Sequence, residues 1–236
     1  MIRLSPSTLG LYKECPRCFW LQINEKFARP RGIFPTLPGG MDLVIKKYYD
    51  SYRGKLPPEL EGKIDGILMD DLALLNKWRN WRTGLEYYDK ERDATLFGAL
   101  DDCLVKSSQK SAISNKKLYM PLDYKTQGFP PQEGASEIYY QHKLDAYALM
   151  LSENGYKSGD CAYLVYYYPR EVKENGTVDF EVKPVKINTD IERIRKMFEG
   201  AVDLLNSDVP AGHSSGSNGS FSCEFGLWHK LATEFD

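Results

Sequence analysis

The chain has 236 residues, and its 31 basic and 33 acidic side chains leave a formal net charge of −2. That length suits one large domain or two small ones with a real core, and the near-neutral balance excludes a protein that holds nucleic acid by bulk positive charge. No stretch approaches the roughly 20 apolar residues of a membrane span, and MIRLSPSTLG lacks a signal-peptide core, so a cytoplasmic protein with no membrane contact is expected.

The opening LSPSTLGLYKEC reads as a helix start, with Ser5 as cap and Pro6 at the first helical position, where its missing N–H is no loss. Residues 27–40 are rich in Pro and Gly and read as a loop. Helices follow over roughly 41–53, with Val44, Tyr48 and Tyr52 as the apolar face, and over about 70–88, where Leu72, Leu75 and Trp78 recur at helical spacing. Residues 95–105 and 117–126 read as two strands joined by a polar, basic hairpin loop. A strong helix over 136–153 carries Tyr140, Leu144, Tyr147, Ala148 and Leu151 as its stripe. CAYLVYYY (161–168) reads as a strand buried on both faces, and 177–187 alternates like a more exposed one. Thr189 and Glu192 form a capping box that opens the last helix, with Ile191, Ile194, Phe198, Ala201 and Leu205 on its apolar side. This order predicts an α/β (α+β) fold, a mixed central sheet flanked by helices.

In a strand, alternate side chains share a face, so Asp123 and Lys125 point together and Tyr124 points away. An adjacent antiparallel strand can set Asp101 beside Asp123. Two carboxylates and a lysine then converge on one point, and paired buried carboxylates repel unless a cation lies between them. Oxygen donors of this kind suit Mg²⁺ or Mn²⁺. Such an ion polarises a phosphoryl oxygen and lowers the pKa of a bound water, and Lys125 would orient that water or stabilise the developing charge. KWRNWR (77–82) interleaves cations with Trp78 and Trp81, the composition of a single-strand platform, although Trp78 also continues a core stripe.

Four segments in order, LSPSTLGLYKECPRCFWL, FGALDDCLV, PLDYKT and YYQHKLDAYALML, resemble the PD-(D/E)XK nuclease superfamily, in particular its RecB-type branch with the CRISPR-associated exonucleases. The resemblance runs from residue 4 to about 168. It implies a restriction-endonuclease-like fold and metal-dependent hydrolysis of DNA, as exo- or endonuclease. It makes Asp101 and Asp123 metal ligands, the Tyr124 carbonyl a further ligand, and Lys125 the catalytic lysine. Where the branch places a His or Glu ligand, this chain has Asp42, which reads equally as a carboxylate at a helix start. The branch's Gln four residues before Tyr147 is here Lys143, with Gln141 six before; Gln141, Lys143 and Tyr147 are the DNA-side candidates of that helix. The resemblance also implies partners in a helicase–nuclease or CRISPR adaptation complex. The alternative reading is a catalytically lapsed nucleic-acid-binding module or a structural subunit of a repair or adaptation complex.

Five cysteines is an odd count, and in a reducing compartment they read as free thiols or metal ligands. Cys15 and Cys18 form a C-P-R-C pair and Cys223 lies near the other end. RecB-type nucleases often join their termini through a four-cysteine iron–sulfur cluster, but Gly226 stands where a second C-terminal cysteine would be. With His229 as fourth ligand the set becomes a Cys₃His structural Zn²⁺ site, favoured over iron–sulfur. Cys103 and Cys161 read as core residues, and His213 as part of a linker. The expected organisation is a nuclease-like domain over 1–205, a flexible linker over 206–222 and a C-terminal element over 223–236 docking near Cys15 and Cys18.

Overall fold

A computed structural model of the chain describes residues 1–30, 32, 36–107, 117–215 and 223–226. The elements in order are β1 (Ile2–Leu4), α1 (Pro6–Glu14), α2 (Pro16–Asn24), α3 (Thr36–Asp50), β2 (Ile67–Leu68), α4 (Leu72–Arg79), β3 (Leu85–Asp89), β4 (Ala94–Gly98), β5 (Asp102–Ser107), β6 (Lys117–Thr126), α5 (Ala135–Glu153), β7 (Cys161–Val172), β8 (Val178–Asn188) and α6 (Ile191–Leu205). The fold is mixed α+β, with two sheets flanked by helices. The basic hairpin loop expected between β5 and β6, and His229, lie outside the described residues. Among the described residues no helix is long and apolar enough to cross a membrane.

The chain divides into two compact units. The first comprises Met1–Phe34, Tyr88–Leu96 and Glu192–Asp236; the second comprises Pro35–Tyr87 and Phe97–Ile191. In the first unit, Ser5 caps α1 reciprocally: its Oγ accepts from the Thr8 N–H at 3.3 Å and its own N–H donates to Thr8 Oγ1 at 2.7 Å. Proline at the first position opens both α1 and α2, and Cys15 closes one helix and caps the next. α6 buries Ile194, Phe198, Ala201, Val202 and Leu205. The chain beyond α6 is strapped to α2. Asn24 Nδ2 donates to the Leu205 carbonyl at 2.9 Å, Trp20 Nε1 to Ser207 at 3.0 Å, and Arg17 to the Pro210 carbonyl. Composition alone reads the start of this stretch as linker. β1 pairs in parallel with β4, Ile2 opposite Ala94, in a sheet ordered β1-β4-β3.

The second unit is built on a five-stranded sheet ordered β2-β5-β6-β7-β8. Neighbours are antiparallel except β6 and β7, which run parallel and are joined through α5. Two-residue alternation divides β6 cleanly. Met120, Leu122 and Tyr124 enter a core with Cys161, Tyr163, Val165 and Tyr167 of β7 and Ile45 and Tyr49 of α3. Asp123 points to the other face, where α5 lies: Lys143 of α5 reaches Asp123, and Ser136 bonds Tyr166 of β7 at 2.9 Å. β7 is buried on both faces over 161–168 because α3 and α5 pack on its opposite sides. Gly66 leads into β2 at φ +85°, and a Cβ there would stand 2.8 Å from the Val105 carbonyl oxygen, so the turn requires glycine.

Three readings from periodicity are corrected. β4 and β5 were one strand on the sequence pattern; they are two, in different sheets, separated at residues 99–101, where the Leu100 N–H donates to the Trp78 carbonyl at 3.0 Å. The expected 70–88 helix ends at Arg79 and gives way to β3. α3 begins at Thr36 and buries Ile45 and Tyr49, whereas Val44 is exposed and Tyr48 partly so. The stripe is ambiguous between two adjacent apolar sets, and the sheet decides it. The Tyr49 ring lies 4.7 Å from that of Tyr124, and Tyr167 donates to the Tyr49 hydroxyl at 3.1 Å.

Candidate active site and candidate metal centre

Asp102 of β5 lies opposite Leu122 of β6, so one step further along the same register Asp101 stands beside Asp123. Asp123 is fully buried and Asp101 partly so. Three ammonium groups surround the pair. Lys143 Nζ lies 2.6 Å from Asp123 Oδ1 and 3.7 Å from Asp101 Oδ2. Lys46 Nζ of α3 lies 2.8 Å from Asp101 Oδ1. Lys125 Nζ pairs with Asp123 Oδ2 and sits 4.6 Å from the centre of the Tyr140 ring. Lys125 faces Asp123 Oδ2 and Lys143 faces Oδ1, so both oxygens of this buried carboxylate meet ammonium groups.

The two carboxyls titrate as a pair. Burial, and Asp123 beside it, push Asp101 up to about 6, against the opposing pull of Lys143 and Lys46. Burial also works against the ionised form of Asp123, but Lys143 and Lys125 outweigh it and hold that group well below the ordinary carboxylate range. Lys125 is lowered, chiefly by burial. Lys143 is also desolvated, yet Asp123 raises it well above the usual lysine value. Three lysines thus face three aspartates at this point: Asp101, Asp123 and, through Lys46, Asp42.

The other candidates distribute as follows. Asp42 Oδ2 accepts from Lys46 at 2.8 Å, so it reaches Asp101 only through that lysine. Tyr124 turns its ring to the opposite face, where its hydroxyl donates to Asp102. Gln141 is tied away from the carboxylates, donating to Asp145 Oδ1 and to the Asn188 carbonyl, each at 2.9 Å. Tyr147 is buried, with Lys143 Nζ 5.6 Å from its ring centre. Of the DNA-side candidates, Lys143 is therefore the one that reaches the acids. Asp102, to which the sequence reading gave no part, is fully buried in an ion cluster. Arg53 donates to it from both terminal nitrogens, at 2.7 and 2.5 Å, and Arg79 at 3.1 Å. In KWRNWR, Trp78 packs on Tyr156 with ring centres 4.7 Å apart, whereas Trp81 is exposed beneath the Arg82 guanidinium.

The first unit holds a second cluster. Cys15, Cys18, His213 and Cys223 bring one ligand atom each within 4.8 Å of one another. His213 Nδ1 lies 3.5, 3.3 and 3.6 Å from the three sulfurs, and Cys18 and Cys223 are 3.6 Å apart. A tetrahedron with Zn–S near 2.3 Å and Zn–N near 2.0 Å has edges of about 3.8 Å between sulfurs and about 3.5 Å from sulfur to nitrogen. This Cys₃His group can hold a metal such as zinc. The outer contacts fit that use. Arg29 donates to Cys223 Sγ at 3.2 Å while pairing with Glu14 at 2.5 Å, and the Gly226 N–H lies 3.4 Å from the same sulfur. The Cys15 thiol is opposed by burial, but the backbone N–H groups of Cys18 and Ser214 and the imidazole of His213 bring it down to about 6. Burial, with Cys223 and Cys15 beside it, pushes Cys18 up to about 12 despite the opposing pull of Arg29.

The fourth ligand in this cluster is His213, not the expected His229, which lies outside the described residues. The glycine three residues after Cys223 has a steric cause: a Cβ on Gly226 would stand 2.4 Å from the Cβ of His213. The gap in the cysteine pattern is thus the space that the histidine fills. The usable signal was the pairing of that glycine with a histidine ten residues before Cys223. The chain matches no protein-family model, and no curated protein matches it in sequence.

Proposed function

We propose that the second unit hydrolyses phosphodiester bonds of DNA, as the resemblance to RecB-type nucleases implies, at Asp101, Asp123 and Lys125. One observation carries this reading: two carboxylates, Asp101 just before β5 and Asp123 in its antiparallel neighbour β6, adjoin each other inside a shell of three lysines. The donor set is all oxygen, the kind that suits Mg²⁺ or Mn²⁺. When bound, such an ion supplies Lewis acidity and a water of lowered pKa. Asp101 and Asp123 would hold it, with Asp42, tied to Asp101 through Lys46, as the further candidate. Lys125, its proton loosened by burial, orients a water beside Asp123 or donates to a departing oxygen. The three ammonium groups supply donors to the anionic diester and stabilise charge built up on it.

The test is cleavage of labelled single- and double-stranded DNA with Mg²⁺, Mn²⁺ or chelator. Asp123→Ala should abolish cutting while far-ultraviolet circular dichroism stays unchanged. Cleavage by that variant at the parent rate would end the reading. A second reading, a binding module that no longer cuts, is favoured by Lys143, whose ammonium lies between the two carboxylates where a cation would stand. Calorimetric titration with Mn²⁺ separates the two: the nuclease binds the ion in competition with Lys143, and the module does not bind it.

We further propose that the Cys₃His group holds zinc as a structural ion, in the reducing, cytoplasmic setting that keeps such thiols available.

A further inference from the structure

A groove beside the carboxylates has no part in the chemistry above. It encloses about 330 Å³ in the second unit and is lined by Gln127, Phe129, Pro131, Tyr139, Tyr140 and Tyr166. That is near the small end of ligand sites, roughly 300–1,000 Å³. Among the described residues its lining carries no charge. Phe129 and Tyr139 are 60% and 58% exposed, so they present ring carbon to water instead of filling a core. Tyr166 forms the floor, buried and anchored to Ser136 at 2.9 Å. Gln127 is held to the Phe129 carbonyl at 2.6 Å, which shapes the turn. Tyr140 belongs to two places at once: it lines the groove, and Lys125 Nζ lies 4.6 Å from its ring centre.

A ligand spanning this junction has an anionic group at Lys125 and a flat, uncharged ring beside it. A nucleotide has that form. We propose that the groove takes an unpaired nucleobase of a single-stranded nucleic acid whose phosphate lies at Lys125, an inference that rests on the phosphodiester reading. A base in a duplex must be unstacked and unpaired before it can enter, which selects against paired substrate. Recognition is by stacking on exposed aromatic rings, which tolerates any base because every base has a π-face. Stacking also supplies affinity that a net charge of −2 does not.

The test is equilibrium binding by fluorescence anisotropy, without added Mg²⁺ or Mn²⁺ so that nothing is cut, with three labelled probes of about ten nucleotides, within the range of known single-strand sites. They are a thymidine strand, an abasic strand with the same phosphates, and a hairpin duplex. The thymidine strand should bind about 5- to 100-fold more tightly than either of the others, the range that loss of one base stack produces. Tyr139→Ala combined with Phe129→Ala should remove most of that preference and leave abasic binding unchanged. Both residues are exposed, so thermal unfolding should match the parent. Equal binding of base-bearing and abasic strands, tight duplex binding, or a double variant that weakens every probe alike overturns the inference. The two readings fail separately. If all probes bind alike and are cut alike once Mg²⁺ or Mn²⁺ is added, only the groove assignment falls. If no probe is bound or cut, the phosphodiester reading falls with it.

Discussion

Asp101 and Asp102 are neighbours in sequence, and replacing each by Asn should have opposite results. Asp102→Asn leaves Arg53 and Arg79, 9% and 12% exposed, with Asp50 as their remaining carboxylate. Removing one partner of a buried ion pair costs about 3–5 kcal/mol, a large share of the roughly 5–15 kcal/mol that holds a typical domain together. At about 2–4 °C per kcal/mol for a chain of this size, Tm should fall by roughly 6–20 °C. Asp101 behaves otherwise. Its folded pKa of about 6 lies above the ordinary 3.8, so between those values the folded protein keeps a proton that the unfolded chain has lost. The stability this gives is complete below 3.8 and is lost as pH rises through 6. About two pKa units correspond to ~3 kcal/mol, reduced to the order of 1–2 kcal/mol because a quarter of the side chain is exposed and Asp123 shares the titration. Asp101→Asn carries no such penalty, so at about pH 7.5 it should melt at or above the parent temperature while losing activity. Thermal unfolding of both variants without added Mg²⁺ or Mn²⁺, near pH 5 and near pH 7.5, checks this. Equal losses at the higher pH, or a near-neutral Asp102→Asn, would refute the division of roles between the two aspartates.

Purified protein should contain about one equivalent of zinc and no iron by elemental analysis, and Cys223→Ser or His213→Ala should release it and lower Tm; stoichiometric iron with sulfide would refute the zinc assignment. Gly226→Ala should weaken zinc retention against a competing chelator, because the added methyl group displaces His213; unchanged retention would show that the contact yields freely. Ser5→Ala should cost about 1 kcal/mol, read as a shift of about 2–4 °C in Tm, since the Thr8 N–H loses its acceptor while the backbone half of the box remains.

The elements legible in the sequence are those whose pattern is strong and local. β6, α5 and β7 carry long, unambiguous runs, and the Asp123–Lys125 alternation needs only the pleat of a strand. The choice between Asp101 and Asp102 is different. Either could face Asp123 on sequence grounds; what fixes the register is the pull of Arg53 and Arg79 on Asp102, and those residues lie 49 and 23 positions away. The α3 face fails for a related reason: Val44–Ile45 and Tyr48–Tyr49 offer two nearly equal stripes, and only the sheet selects one. His213 was hidden by composition. It stands in a run of Gly and Ser that reads as unstructured, and its value depends on chain segments with no local connection to it.

The first unit is assembled from the beginning and the end of the chain, and Cys15 meets His213 at a separation of 198 residues. Synthesis from the ribosome therefore delivers its parts at very different times. α1 and α2 are made before the second unit, and the helix and the ligands that complete them are made after it. The second unit, apart from the excursion at Tyr88–Leu96, lies between them and can close earlier. During that interval the two nascent helices hold Leu9, Phe19 and a pair of thiols without their eventual cover. A contact of such long range is slow to form, and exposed apolar surface in the meantime invites association between chains. Maturation of the first unit should therefore be the late step in biogenesis, and a metal that fills the Cys₃His group can bind only once that late segment has been made.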